Sequence, residues 1–186
     1  MKSIKRLLFI GLLLINCSAI AQTNTIWIVR HAEKATTPGN DPDLSTEGKV
    51  RATELAKQLK DQKIAAIYTT PYKRTSQTGE PTLKQAGLPA LQTYNPADLA
   101  AFTKQILQDH AGKTILVIGH SNTVIPTLQA LGAIKPFDTL DDEDYDQLFK
   151  VTIDADKKAS LNVKQYGASH HNNKVIPQNK MMMQMN

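Results

Sequence analysis

The chain has 186 residues, 41% of them hydrophobic and 21% charged, with a formal net charge of +5 and a single cysteine. That length suits one domain, and the composition is that of a globular protein rather than a fibrous or disordered one. Lys2, Lys5 and Arg6 supply three of the positive charges; without them 19 basic residues face 17 acidic ones, too even a balance for nucleic acid or a membrane surface to be held by bulk charge.

Residues 1–21 read as a secretory signal peptide. The three basic residues open it, residues 7–15 form an apolar run too short to span a bilayer, and Ala19-Ile20-Ala21 sets small residues two apart before Gln22. Cleavage before Gln22 predicts an exported protein, periplasmic or extracellular. Two alternatives stand beside it: an uncleaved anchor, and a lipid anchor at Cys17, since Leu14-Ile15-Asn16-Cys17 is similar to a bacterial lipoprotein signal. Cleaved before Gln22, the exported chain has no cysteine and must fold without disulfides.

Residues 25–29 (Thr-Ile-Trp-Ile-Val) form the first predicted strand, and it runs directly into Arg30-His31-Ala32-Glu33. Residues 35–43 carry loop chemistry throughout, with two prolines and a glycine. A helix follows, capped by Ser45 or Thr46, with Val50, Ala52, Leu55, Ala56 and Leu59 on its apolar face. Residues 64–69 are a short buried strand. A second helix opens in Tyr72-Lys73-Arg74-Thr75 and closes near Gly87. A short strand at 91–94 precedes a third helix from Pro96 to Leu107. Residues 114–119 are an apolar strand that delivers His120-Ser121-Asn122, followed by a helix over 123–131 with Pro126 in its first turn. The acidic stretch 138–146 is expected to be a solvated loop or helix start. Residues 148–153 and 159–166 are two closing strands. Strands alternating with helices predict an α/β fold, a three-layer α/β/α sandwich with a mainly parallel central sheet, over residues 22–167. The polar, Met-rich tail, 168–186, is expected to be disordered.

Two strands that end in charged, proton-active side chains place them at their carboxyl edges, where open α/β sheets build their sites. Arg30, His31, Arg74 and His120 together repel a metal cation and suit a dianion. Guanidinium forks match phosphate oxygens, and helix-start N–H groups can add to the cradle. The same positive charge disfavours imidazolium, keeping one ring neutral and nucleophilic for covalent phosphoryl transfer.

Arg30-His31-Ala32-Glu33, then Leu44-Ser45-Thr46-Glu47-Gly48 with Arg51, then Tyr68-Thr69-Thr70-Pro71-Tyr72-Lys73-Arg74-Thr75, then Gly119-His120-Ser121 resemble the histidine phosphatase superfamily, the phosphoglycerate-mutase-like group with the Arg-His-Gly type motif. The four motifs stand in the family's order between about residues 25 and 166. The resemblance implies that His31 becomes phosphohistidine, that Arg30, Arg74 and His120 hold the phosphoryl oxygens, and that water completes hydrolysis with no metal and no cofactor. Ala32 replaces the usual glycine. Ser121 stands where the acid phosphatase branch has its aspartate proton donor, which aligns the chain with the mutase-like branch, whose donor is a glutamate beyond the Arg74 motif. Asp98 lies at about that distance and is the leading candidate, with Glu80 and Glu33 behind it.

The expected function is thus an exported, metal-independent phosphomonoesterase acting on a small-molecule phosphate ester or on a phosphorylated surface glycan or protein. The alternatives are a non-catalytic phosphate-ligand binder on the same fold and a phosphomutase. Glu47 and Arg51 are read as bracing the site, Trp27, Tyr68 and Tyr72 as packing, and His110, His170 and His171 as lying outside it.

Overall fold

Two apolar strands in register form the centre of the molecule. In the computed structural model, which describes residues 23–171, β1 (Asn24–Arg30) lies parallel to β4 (Thr114–Gly119), with Ile26 opposite Ile115 and Arg30 opposite Gly119. The full sheet has six strands, ordered β3-β2-β4-β1-β5-β6, where β2 is Ile64–Thr69, β3 Gln92–Thr93, β5 Gln147–Ile153 and β6 Ala159–Gln165. β3, β2, β4 and β1 run parallel, while β5 and β6 form an antiparallel hairpin on the β1 side.

Continuous hydrophobic runs in β1 and β4 are explained by cover on both faces. Trp27, Val29, Leu116 and Ile118 pack with Leu55 and Leu59 of α1 (Thr46–Leu59) and with Leu83 of α2 (Lys73–Ala86). Ile26, Ile28, Ile115 and Val117 face Phe102 and Ile106 of α3 (Leu99–Asp109) and Val124, Ile125 and Leu128 of α4 (Ser121–Ala130). This is the expected three-layer α/β/α sandwich with a mostly parallel sheet.

Several local expectations change. The third helix starts at Leu99 rather than Pro96, because the Asp98 carboxylate accepts from Ala101 N and caps it. α4 starts at Ser121, directly after the strand, so Pro126 is its sixth residue and sits inside the helix. Val50 is 58% exposed rather than on the buried face of α1, and the short third strand is only two residues long. The acidic stretch is not simply solvated, since Asp144 and Asp146 are buried beneath it. At the start of the expected tail, His170 N and His171 Nδ1 both bond Asp146 Oδ2. The signal-peptide reading, Cys17 and the Met-rich end lie outside the described residues.

Candidate active site

The register that sets Arg30 against Gly119 brings the two motif-bearing strand ends together, and His31 N continues the ladder by donating to Gly119 O at 2.9 Å. The His31 and His120 rings meet edge to face with centroids 5.2 Å apart. Gly119 must lack a side chain here, because a Cβ would lie 2.6 Å from Thr123 Oγ1 and 3.1 Å from Tyr94 OH. Thr123 Oγ1 in turn accepts from His120 N at 2.8 Å and anchors the start of α4, whose positive end therefore faces the site.

His31 is buried, at 4% exposure. Its Nδ1 lies 2.8 Å from the Ala32 carbonyl oxygen, which can only accept, so Nδ1 carries the proton and Nε2 keeps its lone pair. Burial is the main reason its pKa falls to about 3; the Ala32 bond opposes the fall, and Arg30, His120 and Arg74 add to it. His120 is lowered to about 4, first by burial, then by Arg74 and Arg30. Its Nε2 bonds Thr70 Oγ1 at 2.8 Å, and its Nδ1 faces Arg74 Nη2 at 3.5 Å. Both rings are neutral at neutral pH, the form that attacks phosphorus or accepts from a donor.

Arg74 rides the first turn of α2, stacked over Tyr72 at 4.3 Å. Tyr72 itself sits edge-on to His120 at 5.4 Å, so it flanks the site instead of packing in the core. Asp41 lies 3.7 Å from Arg74 Nη1 and accepts from Lys73 N. Thr78 ties the first motif to this helix, since its hydroxyl accepts from Ala32 N at 2.9 Å and donates to Arg74 O at 2.6 Å.

Arg30 is 4% exposed and is held by the acidic loop. Its Nη1 donates to the carbonyls of Asp141 and Asp142, its Nη2 approaches Asp142 Oδ1 and Tyr145 OH, both at 3.3 Å, and its plane stacks on the Tyr145 ring at 4.2 Å. Its Nε is buried with no partner among the described residues. An orphaned guanidinium N–H is a donor that an oxyanion can take.

Behind these groups Glu33 takes Arg51 Nε on both carboxylate oxygens, at 2.8 and 2.9 Å, while Arg51 Nη1 donates to Tyr166 O. Gly48 lets α1 close onto this turn, because a Cβ there would stand 2.1 Å from Glu33 O. Ser45 caps α1 through Gly48 N.

The candidate proton donors fare differently. Asp98 is exposed and spends its carboxylate capping α3, Glu80 is exposed on α2, and Glu33 is committed to Arg51. None of the three has a bond to Arg30, His31, Arg74 or His120. His110 bonds Tyr68 OH at 2.8 Å, away from these groups, as expected. Sequence reasoning missed Thr70, Thr78, Tyr145 and Asp142. The threonines could have been suspected, as polar residues at a strand end and on the buried side of a helix start; the loop residues had no local signal.

A model of the histidine phosphatase superfamily (branch 1) matches residues 26–95, the stretch holding Arg30, His31, Arg51 and Arg74. The chain thus carries the resemblance read from its motifs, to the phosphoglycerate-mutase-like histidine phosphatases. No curated protein matches the chain. Among solved structures, the protein histidine phosphatase SixA complexed with tungstate is similar at 22% identity and TM-score 0.62, over 76% of this chain and 96% of that one. A mycobacterial glucosyl-3-phosphoglycerate phosphatase is similar at 10% identity and TM-score 0.60, over 79% and 100%. A phosphoserine phosphatase from Entamoeba histolytica, in complex with phosphoserine, is similar at 13% identity and TM-score 0.57, over 78% and 97%.

Proposed function

We propose that the protein is an exported phosphomonoesterase that works through a phosphohistidine at His31 without a metal ion. The superfamily match and the phosphatase neighbours support phosphatase activity. The observation that carries the particular reading is the tautomer of His31: Nδ1–H is spent on Ala32 O, so Nε2 is a neutral lone pair beside His120 and two guanidiniums. An imidazole so placed can attack the phosphorus of a dianion that Arg30, Arg74 and the start of α4 neutralise, with His120 beside it. Two permanent guanidinium charges also make the pocket hostile to a divalent cation. Export rests on residues 1–21, with the lipid-anchored form at Cys17 as its variant.

The test is p-nitrophenyl phosphate hydrolysis in excess chelator, beside His31→Ala. Turnover is expected to survive the chelator and to vanish in the variant, with an acid-labile phosphoenzyme trapped only in the parent. A folded protein that binds vanadate but never turns over would replace this reading with a phosphate-binding one. Amino-terminal sequencing of the mature protein tests export; it should begin at Gln22.

A further inference from the structure

An alcohol is a poor leaving group, so cleaving its phosphate ester calls for a carboxylic acid within hydrogen-bond reach. Most carboxylates near the site are already engaged. Glu33 is held on both oxygens by Arg51, Asp41 takes Lys73 N on both of its own, and Asp98 caps α3. Asp146 is buried and bonded to His171. Asp142 differs from these in what it touches. Its Oδ1 takes Ser121 Oγ at 2.8 Å and lies 3.3 Å from Arg30 Nη2, while Oδ2 has no hydrogen bond among the described residues. One carboxyl is therefore tied to the neighbour of each histidine, Arg30 beside His31 and Ser121 beside His120. The side chain is 82% exposed, so it stands at the solvent rim of the site.

The same contacts set its protonation. Without a ligand, the Ser121 hydroxyl and then Arg30 hold the Asp142 carboxyl below the usual carboxylate range. A phosphate dianion seated on Arg30 opposes the Arg30 part of that field: the guanidinium charge becomes shared, and the carboxyl faces new negative charge that favours its protonated form.

We propose that Asp142 is the proton donor of the reaction, with Ser121 as the residue that positions it. The assignment rests on the phosphatase reading. The Nε2 lone pair of His31 forms the N–P bond, the bond from phosphorus to the ester oxygen breaks with its electron pair moving onto that oxygen, and the Asp142 proton follows, releasing the alcohol. In the second half a water oxygen attacks phosphorus while the Asp142 carboxylate takes the water's proton. The N–P pair returns to Nε2, phosphate leaves, and Asp142 is again protonated.

Asp142→Asn tests this, because the amide oxygen still accepts from Ser121 and Arg30 but has no acidic proton. The measurement is kcat/KM for p-nitrophenyl phosphate, whose leaving group needs little help, and for an alkyl phosphate such as glycerol phosphate, each as a function of pH. In the variant the alkyl ester should lose about 100-fold or more while the aryl ester stays within about threefold, and the alkaline limb of the alkyl profile should disappear. Asp98→Asn should leave the ratio of the two rates at the parental value. A parent active on both esters whose rates fall together in Asp142→Asn, or do not fall, overturns the donor alone. A parent confined to the aryl ester also overturns it. A parent inactive on both, and indifferent to His31→Ala, overturns the phosphatase reading and the donor with it.

Discussion

Replacing His31 by Gln should flatten the acid side of the protein's stability curve. In the folded chain the ring's pKa is lowered to about 3, chiefly by burial and then by the cations around it. In the unfolded chain it returns to about 6.5. The unfolded state therefore takes up a proton first as pH falls. The folded state keeps its full stability above about pH 6.5 and loses it progressively towards about pH 3. Between about pH 7 and about pH 4.5 the linkage for a shift of this size amounts to about 2 kcal/mol, a large part of the reserve of an ordinary domain. Glutamine keeps an amide that can donate to Ala32 O and does not titrate in this range. The assay is urea denaturation at the two pH values, comparing midpoints at a common slope. The parent should lose about 2 kcal/mol more than His31→Gln between the two conditions. Equal losses would refute the neutral, buried imidazole on which the nucleophile assignment depends. His120 titrates in the same direction with a smaller shift, to about 4, so His31→Gln should retain part of the acid sensitivity.

Gly48→Ala should be among the most damaging single substitutions, because its methyl would stand 2.1 Å from a backbone oxygen, Glu33 O, that has no room to yield. A loss of about 3 kcal/mol or more, read as a fall in Tm, is expected, together with lost activity as the Glu33–Arg51 brace shifts. Arg74→Lys keeps a positive charge but loses the planar fork. Competitive inhibition by phosphate should weaken about 10- to 100-fold, with the fold unchanged by circular dichroism. Asp98→Ala should cost about 1 kcal/mol of stability through the lost α3 cap, while kcat/KM for p-nitrophenyl phosphate stays at the parental level.

What the sequence determined by itself was most of what has a local signature. Apolar runs broken by Pro and Gly, the Ser45 cap, and helices spaced between strands set the α/β layers, because periodicity and capping act over a few neighbouring residues. Arg30, His31, Arg74 and His120 were also legible, since each sits at the carboxyl end of a strand or in the helix start that follows one, and such positions carry the sites of this fold class. The tertiary structure alone decided how these groups are held and which carboxylates attend them. Asp98 looked suitable by its distance along the chain, yet it caps α3 through Ala101 N, a local contact that a reading of the helix start at Pro96 passed over. Asp142 lies in a stretch that reads as solvated, yet the loop folds back so that its carbonyl and carboxylate meet Arg30, more than a hundred residues earlier in the chain. The same holds for Thr78 on Ala32 and Thr70 on His120, which join segments far apart in sequence. Contacts of that kind come from the packing of whole elements, and a pattern that spans a few residues carries no information about them.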